Sequence, residues 1–336
     1  MQSFWQKLPK PFFVMAPMAD VTDVAFRALV AKRGKPDIFW TEFVSADGLY
    51  HTREIPKLNF GSNYRSLTSV LTDRENPLLR DLQFTEEQRP IVAQVFSSKP
   101  EMIAYATKLV AELGFDGVDI NMGCPDKTIE KQGAGAAMIK NPKLAVEIIR
   151  AAQEASNLPV SVKTRIGYNK ESLEEWLSAL LSANPVAVTL HLRTRKEMSL
   201  VPAGWELMKK AVEIRNKINP KVLLIGNGDV LSLEDSRVKA VETGCDGIML
   251  GRAMFGNPWV FTNRQPETIS LQEKLDALIE LAHGFEKITP HKNFAILKKH
   301  IKAFVTGFSG AADLRVRLMY ANSASELERI IKENLV

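Results

Sequence analysis

Short apolar runs alternate with longer amphipathic stretches over most of this chain. Runs at 12–18, 38–44, 91–96, 118–121, 160–165, 187–191, 222–226 and 247–251 read as eight short buried strands. Between most of them lie stretches with helical spacing, at 101–113, 142–156, 172–183, 205–218 and 232–243. A parallel crossover needs roughly a dozen residues, so this alternation predicts parallel pairing. Eight such units over about 250 residues predict an α/β fold of the (β/α)8 TIM-barrel type. An open doubly wound sheet is the rival, but no Gly-x-Gly-x-x-Gly follows the first strand. The segment 46–90 is long for a connection between strands two and three, and such an excursion is often functional. After Pro258 no strand candidate appears. There Phe294, Leu297, Ile301, Phe304 and Phe308 form one apolar stripe at helical spacing. The expected organisation is a barrel over residues 1–262 and a small all-helical C-terminal domain over 263–336.

Composition narrows the class. With 45% hydrophobic and 25% charged residues in 336, the chain can bury a large core. A net charge of +5 is compatible with a polyanionic partner without requiring one. Two cysteines, Cys124 and Cys245, allow at most one disulfide, which favours a reducing cytoplasm. No apolar stretch is long enough to span a bilayer, and the run bracketed by Pro11 and Pro17 is too short for a signal peptide.

The candidate chemistry lies where strands end, the face on which barrels carry their active sites. Strand four runs into Asn121-Met122-Gly123-Cys124-Pro125, which puts a thiol at the barrel mouth. Strand one ends in Ala16-Pro17-Met18-Ala19, small and stiff enough to pack under a flat ring. Strand three carries Gln94. Lys163 and Arg165 share one face of strand five, and His191 and Arg193 one face of strand six and its end. Strands seven and eight end in Asn227-Gly228-Asp229 and Gly251-Arg252. A lysine inside an apolar strand is costly unless it is paired or bound to something. One such lysine is as readily explained by a neighbouring carboxylate. For Lys163, His191, Gln94 and Asn121 together, one shared ligand is the simpler account. It should be flat, rich in hydrogen-bonding edges and partly anionic. Gly228, Gly251 and Arg252 stand where barrels commonly hold phosphate. FMN meets both requirements, with Lys163 at the pyrimidine end of its ring system.

With these residues laid out, the chain resembles the tRNA-dihydrouridine synthases, the Dus family of flavoenzymes. The matching segments are Ala16-Pro17-Met18 with Thr22-Asp23 and Phe26-Arg27, Val92-Ala93-Gln94, Asn121 to Pro125 and Gly133 to Ala137. They continue with Val162 to Arg165, His191 to Arg195, Asn227 to Asp229 and Gly251-Arg252. In the tail, Lys299-His300, Gly307 to Ala311 and Leu314-Arg315 match as well. The resemblance implies FMN as prosthetic group, NADPH as electron donor, and uridine in tRNA as substrate. It implies that Pro17, Met18, Ala19, Gln94, Lys163, Asn227, Gly228, Asp229, Gly251 and Arg252 contact FMN. Asn121 and His191 would lie between flavin and uracil, and Cys124 would be the proton donor. Leu192 departs from the pattern, since many members carry glycine between the histidine and the arginine.

A tRNA substrate needs a surface. Lys287, Lys292, Lys298, Lys299, Lys302, Arg315 and Arg317 are seven basic residues with only Asp313 among them. Lys298, Lys299 and Lys302 are the expected phosphate contacts of the tail, and Arg165, Arg193 and Arg195 those of the barrel mouth. A uridine packed inside folded tRNA must be extruded to reach a flavin. His51, His283 and His291 have no partner spacing that suggests a metal, and no zinc-like cluster occurs. Cys245, Trp176 and Trp205 are expected in the core, and Asp20 or Asp23 at a helix cap. A monomer is expected. The rivals are a flavin barrel acting on a free pyrimidine, and an RNA-binding module without catalysis.

Overall fold

The structure is a computed structural model that describes residues 3–52, 77–288 and 291–334. Eight strands form the barrel: β1 (Phe12–Met15), β2 (Phe39–Ser45), β3 (Ile91–Phe96), β4 (Gly117–Met122), β5 (Val160–Arg165), β6 (Ala187–His191), β7 (Leu223–Asn227) and β8 (Gly247–Leu250). Every ladder is parallel, in the order β1-β8-β7-β6-β5-β4-β3-β2. A parallel bridge between Val14 and Ile38 closes β2 back onto β1. Strand β1 stops three residues before the expected Met18. Ala16 still donates its N–H to Leu250 O at 2.8 Å, but Pro17 has no N–H to continue.

The helices are α1 (Val24–Gly34), α2 (Ala46–His51), α3 (Pro100–Glu112), α4 (Lys127–Lys131), α5 (Pro142–Ala155), α6 (Leu173–Ser182), α7 (Glu206–Ile218) and α8 (Leu233–Thr243). The tail adds α9 (Leu271–Glu286), α10 (Lys298–Phe304), α11 (Ala311–Leu318) and α12 (Ala324–Asn334). Asp23 caps α1, accepting from Phe26 N at 2.9 Å, as its position suggested. Ser270 and Glu273 form a capping box on α9. Of the long excursion after β2, residues 53–76 lie outside the described residues; α2 and a 3-10 helix at Pro77–Leu82 flank them.

Alternate strand positions point into the barrel. Phe12, Val14, Ile38, Trp40, Val92, Ala187, Ile225 and Met249 make one apolar cluster there. Trp5 closes its lower end, with ring centroids 6.3 Å from Phe12 and 6.0 Å from Trp40. Continued up β3 to β7, the same period-two faces turn polar. Gln94 lies level with Asp119, Asn121 with Lys163, and His191 with Arg165 and Asn227.

The tail packs on the barrel through α9 and α1, where a Cβ on Gly284 would meet Ala25 Cβ at 3.3 Å. The expected apolar stripe is one face of two short pieces, a 3-10 turn at Phe294–Leu297 and α10. The helix ends before Val305, and Gly307, at φ +81°, turns the chain away before Phe308. No helix of the described residues is long and apolar enough to cross a membrane.

Candidate active site

A cavity of about 620 Å³ opens at the C-terminal ends of β1 and β5 to β8. Its wall includes Ala16, Pro17 and Met18 on one side and Lys163, His191 and Asn227 on another. Gly228, Asp229, Gly251 and Arg252 line it further along, so nine of the residues expected at a cofactor come together. Ala19 is exposed on the loop beyond Met18. Lys163 Nζ donates to Asn227 Oδ1 at 3.4 Å, its one hydrogen-bond partner among the described residues. Burial, and next Arg165, pull its pKa down to about 8. Asn227 is fixed in turn by donating to Met249 O at 2.8 Å. His191 Nε2 lies 3.2 Å from the Arg193 guanidinium. Arginine can only donate, so the neutral ring carries its proton on Nδ1. Burial and then the neighbouring cations hold the His191 pKa well below the usual histidine range.

The strand β7 end is built on backbone that glycine permits. Gly228 has φ +131°, and a Cβ there would meet Ala203 Cβ at 2.7 Å. Trp205 donates from its indole to Gly228 O at 2.8 Å; half-buried, it packs against the edge of the core and props this turn. Asp229, at φ +50°, joins Arg193 to Arg252 and also accepts from Ala203 N at 2.9 Å. The Arg193 bond above all holds its carboxyl below the usual range.

The thiol sits on the loop that follows β4. Asn121 Oδ1 accepts from Gly123 N at 3.1 Å and Cys124 N at 2.9 Å. Cys124 O accepts from Ala136 N at 2.9 Å. Gly135, at φ +59°, lets that segment approach, since a Cβ there would meet Cys124 O at 2.6 Å. Burial pushes the Cys124 thiol above its ordinary pKa.

A sequence model for the family described as dihydrouridine synthase (Dus) matches residues 14–335. The chain belongs to the dihydrouridine synthase family. The Bacillus subtilis protein named "Probable tRNA-dihydrouridine synthase 2" is 38% identical, over 99% of this chain and 96% of that protein. A Staphylococcus aureus "Probable tRNA-dihydrouridine synthase" is 37% identical, over 99% and 95%. Among solved structures, a 2-naphthoyl-CoA reductase complex matches 74% of this chain with a TM-score of 0.52 at 10% identity. Histamine dehydrogenase from Rhizobium sp. 4-9 matches 81% with a TM-score of 0.50 at 13% identity. The chain spans about half of each of those two, with 49% and 48% of their lengths covered, and they share its barrel fold.

Within this Dus chain, several expected residues are tied up in the protein itself. Gln94 is fully buried, donating to Asp119 and accepting from Asn121, and stands behind the cavity rather than on its wall. The three mouth arginines are also engaged. Arg165 donates to Gly123 O at 2.9 Å, Thr194 O at 3.0 Å and Met198 O at 2.9 Å. Arg193 holds Asp229 and Val201 O, and Arg195 forms a forked pair with Glu130 on α4. Arg165 and the Arg195–Glu130 pair therefore staple the thiol loop to the loop after β6.

In the tail, Lys292 departs from the expected basic surface. Its ammonium, 2% exposed, lies 2.6 Å from Glu42 and 2.8 Å from Asp81 and locks the tail to the barrel. Lys299 pairs with Asp20 at 3.3 Å, Arg315 donates to Val305 O, and Arg317 pairs with Glu333. Lys298 and Lys302 have no carboxylate within 4.0 Å among the described residues. Asp119 and Glu130 are further residues of the site that the sequence motifs do not single out. An acid inside the apolar run Gly117-Val118-Asp119-Ile120, two residues before Asn121, was the available signal for the first.

Proposed function

We propose that this protein reduces specific uridines of tRNA to 5,6-dihydrouridine, with FMN as its flavin and NADPH as the reductant. The observation that carries this reading is Lys163, a cation on the cavity wall whose one hydrogen-bond partner among the described residues is an amide oxygen at 3.4 Å, with the buried Asp119 carboxylate acting on it without a direct bond. Such a cation is costly unless a ligand brings it negative charge. The pyrimidine end of a flavin does so, and the cation in turn favours the reduced, anionic ring. Pro17, Met18 and Ala19 would lie along the ring. Asn227 would stay beside Lys163; the backbone N–H groups of Gly228, Asp229 and Gly251 would hold the phosphate end, with Arg252, aimed by the Asp229 carboxylate, supplying the exposed fork. Gln94 would act from behind Asn121.

A reduced flavin held by these residues would supply a hydride to C6 of uracil. Cys124 gives its thiol proton to C5, so that one hydride and one proton add across the C5–C6 double bond. A thiol with a raised pKa is protonated at neutral pH, as a donor must be. Lys163 and the Nδ1–H of His191 would face the charge that develops on the pyrimidine carbonyl, with the second N–H of the Asn121 amide beside them. Residues 1–262 would form the catalytic unit and 263–336 the tRNA-binding one, with Lys298, Lys299 and Lys302 on phosphate. Arg165, Arg193 and Arg195 would shape the mouth around the extruded uridine. A tRNA substrate is met in the cytoplasm, where the protein would work as a monomer.

The test is oxidation of the reduced flavin, without oxygen, by tRNA from cells lacking this protein. The expected result is rapid reoxidation with dihydrouridine mapping to discrete positions. Reoxidation by free uridine as fast as by tRNA would move the reading to a barrel that reduces a free pyrimidine.

A further inference from the structure

We infer that Asp119 is a positioning residue, one that sets the direction of a hydrogen-bond chain ending on the backbone of Cys124. Asp119 lies inside the barrel, fully buried, level with Gln94 on β3 and Ser161 on β5. Ser161 Oγ donates to its Oδ1 at 2.6 Å and Gln94 Nε2 to its Oδ2 at 2.6 Å. Asn121 Nδ2 then donates to Gln94 Oε1 at 3.0 Å, and Asn121 Oδ1 takes the N–H groups of Gly123 and Cys124.

The direction of this chain has to be chosen. An amide turned end for end fills almost the same volume, so packing discriminates little between the two settings. Hydrogen bonding discriminates strongly. An ionised carboxylate only accepts. It therefore requires the NH2 end of Gln94, which leaves the Gln94 oxygen for Asn121. That requires the NH2 end of Asn121, which leaves the Asn121 oxygen for the thiol loop. Turn Asn121 and the N–H of Cys124 faces a donor; turn Gln94 and both of its links are mismatched unless Asn121 turns with it. The Asp119 pKa, raised to about 6 chiefly by burial, still leaves the group ionised at neutral pH. Asp119 is absent from the cavity wall; it reaches the thiol loop through Gln94 and Asn121, and its charge also acts on Lys163. The inference rests on the proposed function only in giving the Cys124 thiol a task.

The test moves the carboxylate one link along. In Gln94→Glu, read at a pH alkaline enough to ionise both carboxylates, two acceptors face each other across the first link. In Gln94→Glu with Asp119→Asn, the amide introduced at position 119 donates to the carboxylate introduced at position 94. Ser161 keeps its acceptor, and Asn121 keeps an acceptor with the first link restored behind it. The readout is alkylation of Cys124 by iodoacetamide, followed by peptide mass, which separates it from buried Cys245. Gln94→Glu is expected to speed alkylation about tenfold, the cost of one broken buried hydrogen bond. Asp119→Asn alone is expected to change it by under about threefold, since asparagine turned over still offers Gln94 an oxygen. The double variant should return to within about threefold of the wild type. If Gln94→Glu does not fold, recovery of a folded double variant is the same rescue. An unaltered rate in Gln94→Glu, or a double variant no better than it, overturns the inference. Neither result touches the proposed reaction, which instead fails if Cys124→Ala still makes dihydrouridine at the wild-type rate.

Discussion

A thiol can act as nucleophile or as acid, and its surroundings decide which. For Cys124 burial raises the pKa, and the Asp126 carboxylate adds to the effect, while Lys163 and Arg165 pull the other way. The balance keeps the proton on sulfur, which suits an acid. Cys124→Ala should therefore retain its flavin and lose turnover by about 10²- to 10⁴-fold, the usual worth of a placed proton donor. The flavin absorbance of the purified variant and dihydrouridine formed per minute check the two halves. Full turnover would leave the thiol without a role.

At the scale of elements, legibility followed the period of two. Lys163 and His191 could be read from the sequence because a polar residue on an apolar strand stands out, and its face follows from counting. The same rule would have reached Asp119, two positions before Asn121. Glu130 gave no such signal, because an acid in a five-residue helix looks like any solvated residue. Lys292 misled for a complementary reason: sequence spacing says nothing of Glu42, 250 positions away, or of Asp81. The α10 pattern hid a burial of its own. His300 is 2% exposed, packs tilted against Phe26 with centroids 4.7 Å apart, and stacks on Phe255 at 6.0 Å. Burial, first among the causes, lowers its pKa to about 4 from the usual 6.5. A depressed folded value means stability is present above pH 6.5 and is lost as pH falls toward 4. At pH 5 the loss from this group is about 2 kcal/mol. His300→Leu should therefore lose less stability than the wild type between pH 7.5 and pH 5 in denaturant titrations. Equal losses would mean that the imidazole does not seat α10 in its neutral form.

Across the whole molecule, the question is how a barrel with a recessed cavity meets a large polyanion. The Lys299–Asp20 pair places α10 beside the loop that leaves β1, just past Met18 on the cavity wall. The cations of α10 thus stand at the same end of the barrel as the cavity. Lys292 holds the tail in place and Lys299 already faces Asp20, so reversing either would confound binding with a change inside the protein. Lys298 and Lys302, four apart on or at the start of α10, carry no such duty among the described residues. Lys298→Glu with Lys302→Glu should weaken tRNA binding by about tenfold or more at moderate salt. Each lost phosphate contact also flattens the slope of log affinity against log salt by roughly one, so a change of about two is expected. Flavin content and thermal stability should stay near the wild type, since neither lysine touches the cavity wall. An unchanged slope, with affinity intact, would show that these two ammonium groups meet no phosphate and that the tail serves only to brace the barrel.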